Sequence, residues 1–206
     1  MDYAGDWFGT SVKIDDPRWR GYLANLTPAE FADVGAGLPE QVSGKEFLQR
    51  YDGITDTVTT VLPERRYPVR QATAHPVHEE ARVERFAELL GTLANQPQAA
   101  IELGCLMNES HQSYSACGLG SDGTDRLVEL VAALGPERGL LGAKITGGGS
   151  GGTVAVFGTN NAEALVRDVA ARYEKETGRA ARVFTGSGPG AAETGVLHVA
   201  ASEISE

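Results

Sequence analysis

Five glycines fall within six positions, Gly147-Gly148-Gly149-Ser150-Gly151-Gly152, between two short β-prone segments, Ala143 to Thr146 and Thr153 to Phe157. Glycine takes positive φ readily and has no Cβ to hold other groups away. The segment therefore predicts a strand, a glycine loop and a second strand. Such a loop can aim several backbone N–H groups at an anion, or it can be a flexible or bulged hairpin turn. It is not a Walker A loop, because no Gly-Lys-Ser/Thr closes it. Gly147-x-Gly149-x-x-Gly152 meets the bare Rossmann spacing, but that motif opens a helix, and here a strand follows.

The chain around this loop has ordinary globular composition, with 206 residues, 41% hydrophobic and 22% charged, enough to bury a core. Acidic residues outnumber basic ones by 28 to 18, and no Lys/Arg cluster stands ready to neutralise a phosphate backbone, so nucleic acid is not expected as a partner. Apolar runs such as Val154 to Phe157 are far below the roughly 20 residues that cross a bilayer. Met1 to Asp6 has neither the basic flank nor the apolar stretch of a signal peptide. Cys105 and Cys117 form no Cys-x-x-Cys pair, so no structural zinc site is expected. A cytoplasmic location is the expectation.

Along the chain, residues 1–75 read as an irregular N-terminal segment from a domain junction, and residues 76–206 as a regular domain. Thr27-Pro28-Ala29-Glu30 and Ser43-Gly44-Lys45-Glu46 are capping boxes that open two short helices. Thr55 to Leu62 predicts at most one short strand. From Pro76 onward, Val83, Phe86, Ala87, Leu90 and Leu93 recur at helical spacing, and Asn95-Gln96-Pro97 ends that helix. A second helix is expected from about Gln98 to Tyr114, with Ile101, Cys105, Leu106 and Met107 on its apolar side, packed antiparallel on the first. Cys105 is expected in the core and Cys117 in a more exposed loop. Ser121 caps a third helix with Asp122 and Asp125 in its first turn. A fourth runs from about Ala162 to Glu176, stopped by Gly178. Arg182 to Thr185 and Val196 to Ala200 predict two further strands. The fold class expected is α+β, an antiparallel sheet covered on one face by helices.

Leu106-Met107-Asn108-Glu109-Ser110-His111, Ser121 to Leu127, and Gly142-Ala143-Lys144-Ile145-Thr146 with the glycine loop resemble, in order and spacing, successive segments of the galactokinase branch of the GHMP kinases. Tyr114 to Leu127, Tyr22-Leu23-Ala24-Asn25-Leu26 and Gly186-Ser187-x-Pro189-Gly190-Ala191 are most similar to the L-arabinokinase-like members, and the resemblance spans about Asp16 to Val199. Ser150 stands where galactokinases tend to have phenylalanine. The resemblance implies the ferredoxin-like C-terminal domain of that family. It also implies an ATP- and Mg2+-dependent kinase that transfers a phosphoryl group to the anomeric hydroxyl of a sugar, L-arabinose or galactose. Thr146, Gly147, Gly148, Gly149, Ser150, Gly151 and Gly152 would form the loop near substrate and phosphate.

The family's Pro-x-x-x-Gly-x-x-Ser-Ser-x-Ala phosphate loop and its Cys-Gly-x-x-Asp-Gln segment do not occur in the sequence. The expectation is a C-terminal portion with no catalytic residue of its own, inactive alone, for which a separate N-terminal kinase half is a partner. The alternative is a noncatalytic module that binds a nucleotide or metabolite, or serves as a partner subunit. His111, Ser121, Asp122 and Asp125 are candidate pocket residues, though His111 equally suits a helix end and Asp125 a helix N-terminus. His75, His78, Glu79 and Glu80 suggest a metal site, but they lack a further ligand and read as polar residues at a helix start. No metal site is expected.

Overall fold

The computed structural model describes residues 4–7, 10–13, 16–51, 53–54, 59–147 and 152–186, together with Glu193 and Gly195. Strands β1 (Ala4–Trp7) and β2 (Thr10–Lys13) form an antiparallel hairpin from Ala4↔Lys13 to Trp7↔Thr10. Helix α1 (Pro28–Gly35) opens on Thr27, whose hydroxyl accepts from the Glu30 amide while the Glu30 carboxylate accepts from the Thr27 amide. That backbone bond, with Arg18 beside it, lowers the Glu30 carboxyl to about 2. Strand β3 (Val42–Ser43) leads into α2 (Gly44–Arg50), where Ser43 and Glu46 repeat the arrangement, and β3 pairs with β4 (Arg66–Tyr67). Both capping boxes read from the sequence are present. Of the strand expected over Thr55 to Leu62, residues 55–58 lie outside the described residues and 59–62 are irregular.

Helix α3 (Val69–Thr92) starts seven residues before Pro76, where the sequence pattern placed its onset, so residue 75 falls inside it. Pro76 costs the helix one hydrogen bond. Tertiary packing offsets that loss, because Val77 beside it is fully buried against Leu26 and Phe31 of the N-terminal region. The apolar stripe also turns relative to the expectation. Val83 and Leu90 are half exposed, and Phe86, Leu89 and Leu93 pack instead against Ala99 and Leu103. Helix α4 (Ala99–Ala116) returns antiparallel, bringing Gln71 to Ser113, Glu79 to Ser110 and Arg85 to Glu102.

On α4 the buried residues are Ala99, Leu103, Gly104, Ser110 and His111, whereas Ile101 and Cys105 are exposed and Cys117 is half buried. This reverses the expected placement of the two cysteines. The cause is Gly104, which brings the α4 backbone directly onto the following strand and turns small and polar side chains towards it. A Cβ on Gly104 would stand 2.1 Å from the Leu141 carbonyl oxygen, and one on Gly142 would stand 2.2 Å from that of Gly104.

Helix α5 (Asp122–Leu134) and a 3-10 turn at Pro136–Arg138 lead into β5 (Leu140–Thr146), which pairs antiparallel with β6 (Thr153–Gly158) before α6 (Glu163–Thr177). Gly178 closes α6 at φ +70°. Val128, Leu130 and Val131 of α5, Val169 and Tyr173 of α6, and Leu140 and Ala143 of β5 form the largest core cluster. Helices therefore pack over a small antiparallel sheet, an α+β fold. Arg182 to Thr185, expected as a strand, is irregular, with Phe184 75% exposed. Among the described residues β6 has only β5 as a strand partner, so nothing pairs with that segment. Val196 to Ala200 lies outside the described residues.

Candidate functional site

The last pair of the β5–β6 hairpin is Thr146↔Thr153, with the Thr146 hydroxyl donating to the Thr153 carbonyl at 3.2 Å. Gly147 and Gly152 leave the strands at φ +77° and +111°, backbone that disfavours any other residue. Among the described residues, nothing lies within 4 Å of a Cβ built on either. The φ angles by themselves require glycine at both positions, and no described residue crowds either end of the loop. Gly148, Gly149, Ser150 and Gly151 lie outside the described residues.

Beside this turn, α5 begins. The Thr124 amide donates to the Ser121 hydroxyl and the Ser121 amide to the Thr124 hydroxyl, which closes the helix start. Ser121→Ala is expected to cost about 1 kcal/mol, measured as a shift in the urea midpoint. Ser121, Gly123 and Thr124 line a groove of about 920 Å³ that also takes in Gly152, Thr153 and Arg179. One end of the glycine loop and the capped end of α5 thus share a single groove. Its floor is apolar, formed by Val154, Val156, Val169 and Tyr173.

His111 and Asp125 are brought together, but outside that groove. His111 is 5% exposed, and its Nε2 lies 3.2 Å from Asp125 Oδ1, which also accepts from the Ser115 hydroxyl at 3.1 Å. The His111 Nδ1 accepts from the Ile145 amide at 3.3 Å. Asp122 is exposed and does not line the groove.

Burial lowers the His111 pKa below its ordinary 6.5, against the pull of Asp125 and with help from Lys144, and burial also lowers His75. For such a base the unfolded chain binds the proton more readily than the folded one. Stability is then full above pH 6.5 and falls as pH drops below it. Denaturant midpoints are expected to decline between about pH 6.5 and 5.5, before carboxylates titrate.

Two residues that sequence reasoning passed over belong to the same assembly. Asn108 Oδ1 accepts from the Ala143 amide at 2.9 Å, so Asn108 and His111 together serve two amides of β5, those of Ala143 and Ile145. Three helical residues rise about 4.5 Å and two strand residues about 6.7 Å. The longer histidine side chain spans the difference. The Asn-x-x-His spacing ahead of a strand was the available signal.

The other missed residue, Lys144, pairs with Glu79 at 3.2 Å, and Glu79 also accepts from Ser110 and from Arg82, the latter at 2.8 Å. Burial alone would raise the Glu79 pKa, but the Ser110 hydrogen bond and the Lys144 and Arg82 charges hold it below the usual carboxylate range. His75 meets the Ser113 hydroxyl and His78 the Phe31 ring. These residues lie in mid-helix, not at a helix start, and no group of three or more ligating side chains gathers among the described residues.

Residues 80–175 match the family described as GHMP kinases C terminal. The L-arabinokinase of Arabidopsis thaliana is 42% identical over 190 residues, covering 86% of this chain and 18% of that protein. A galactokinase of Fusobacterium nucleatum is 31% identical, covering 56% and 28% respectively. A mevalonate kinase of Saccharolobus solfataricus is 31% identical, covering 46% and 31%. Among solved structures, Lactococcus lactis galactokinase complexed with galactose matches 68% of this chain and 32% of that one, at TM-score 0.47 and 23% identity. The chain spans less than a third of the length of each of these relatives.

Proposed function

We propose, from the match of residues 80–175 to the GHMP kinases C terminal family, that the chain belongs to that family and is the C-terminal part of an ATP-dependent sugar-1-kinase. The substrate read from the 42% identity to L-arabinokinase is L-arabinose, with galactose second. The observation that carries the reading is the glycine turn. No described residue crowds its two ends, Gly147 and Gly152, and Gly152 shares one groove with the capped start of α5. Phosphoryl transfer depends mainly on positioning and charge stabilisation, and an unobstructed backbone turn supplies a close-approach wall for that purpose.

This chain's residues fit ATP and Mg2+ only in part. Gly147, Gly152 and Ser121 offer a surface, but the sequence has no Gly-x-x-Ser-Ser-x-Ala loop, and no carboxylate cluster stands among the described residues. The proposal therefore assigns the nucleotide loop, the metal ligands and the catalytic base to a separate N-terminal kinase portion. The same observation favours a second reading, a noncatalytic module that binds a metabolite or serves as a partner subunit. No helix of the described residues is long and apolar enough to cross a membrane.

ADP release with L-arabinose and with galactose decides between them, using this chain alone and this chain mixed with or fused to a matching N-terminal half. Turnover only in the combined preparation is the expected result. Turnover by the chain alone would overturn the division of labour, and turnover by neither would favour the noncatalytic module.

A further inference from the structure

Resting on the reading of the glycine turn as a kinase-cleft wall, we propose that His111 is a positioning residue. In its Nε2–H tautomer it ties the strand that feeds the loop to the first turn of α5.

The tautomer follows from the partners. Nδ1 faces the Ile145 amide, which can only donate, so Nδ1 is the unprotonated nitrogen. The ring proton is then on Nε2, where it donates to Asp125 Oδ1. Asp125 is held in turn by the Ser115 hydroxyl of α4. A single buried ring thus spans α4, α5 and β5. Ile145 lies two residues before Gly147, and Asp125 four after the cap Ser121, so both components of the groove are indexed to one side chain. Asn108, one turn earlier on α4, holds the Ala143 amide and fixes the same strand at a second point. Neither His111 nor Asp125 lines the groove, so the role is to set the geometry of Thr146, Gly147 and Ser121 and not to touch a ligand.

Two substitutions separate the halves of this link. In His111→Asn the amide oxygen stands near the Nδ1 position and keeps the bond to Ile145. In His111→Gln the side-chain amide stands near Nε2, keeps Asp125 and loses Ile145. In the folded chain, amide hydrogen exchange at Ile145 is expected to quicken about tenfold in His111→Gln and to stay within about threefold of wild type in His111→Asn. Nitrogen-15 shifts of the His111 ring are expected to show a protonated Nε2 and a bare Nδ1 at neutral pH.

A protonated Nδ1, or equal Ile145 exchange in the two variants, would overturn the proposal. In the combined kinase each substitution cuts one half of the link, and each is expected to lower kcat about tenfold with sugar KM within about twofold. Unchanged kcat in both variants, with wild type active, would also overturn it. A wild-type assembly without turnover would remove the kinase reading instead, and ring tautomer and exchange would still decide the link.

Discussion

Replacing Gly104 with alanine is expected to lower stability by more than about 3 kcal/mol for a single added methyl group. The new Cβ would stand 2.1 Å from the Leu141 carbonyl oxygen and 2.4 Å from its carbonyl carbon. Backbone atoms cannot rotate aside as a flexible side chain does. Relief requires α4 to lift from β5, which would also withdraw Asn108 and His111 from the Ala143 and Ile145 amides and leave those groups unpaired. Urea denaturation followed by circular dichroism measures the loss.

Gly91→Ala is the matched control, since Gly91 lies in α3 with nothing within 4 Å of a built Cβ. There alanine is expected to raise stability by up to about 1 kcal/mol through helix propensity. Opposite signs for the two substitutions would confirm the backbone-on-backbone packing. A Gly104→Ala midpoint equal to wild type would refute it.

The second large effect concerns activity. Gly152→Val places a β-branched residue at φ +111°, a strain of about 1–3 kcal/mol, with no described residue near enough to add to it. A modest drop in melting temperature is expected. In the combined kinase preparation, the same change is expected to lower kcat at least about 100-fold, or about 2.7 kcal/mol of transition-state stabilisation, because the turn can no longer present its backbone to the groove. Gly186→Ala also forces a side chain into positive φ, at +77° with no described residue within 4 Å, and is expected to leave kcat within about threefold of wild type. A Gly152→Val enzyme as active as wild type would separate the loop from the chemistry.

Much of the fold was legible because its signals are local. Thr27 with Glu30 and Ser43 with Glu46 show as capping boxes in the sequence and as paired hydrogen bonds in the structure. Gly178 ends α6 where expected, and the glycine loop lies between two adjacent strands. The failures are non-local. Pro76 suggested a helix start, but burial of Val77 carries α3 through it. Cys105 fits an apolar stripe, yet the approach of Gly104 to β5 turns that stripe outward. At the candidate site, Ser121 was legible as the cap of α5, and the structure sets that cap on the groove. Lys144 and Asn108 act on partners 65 and 35 residues away, Glu79 and Ala143, and only the Asn-x-x-His spacing gave a local hint of either role.

The two margins of the β5–β6 hairpin are not equivalent. On the β5 side, helix α4 occupies the Ala143 and Ile145 amides through side chains, so that margin offers no free row of donors to an incoming strand. Unprotected strand margins template the addition of other chains, and here one of them is chemically sealed by a helix. The sheet can therefore grow in one direction only, outward from β6. That side borders the groove which Ser121 and Gly152 share, since Thr153, Val154, Ala155 and Val156 of β6 line it.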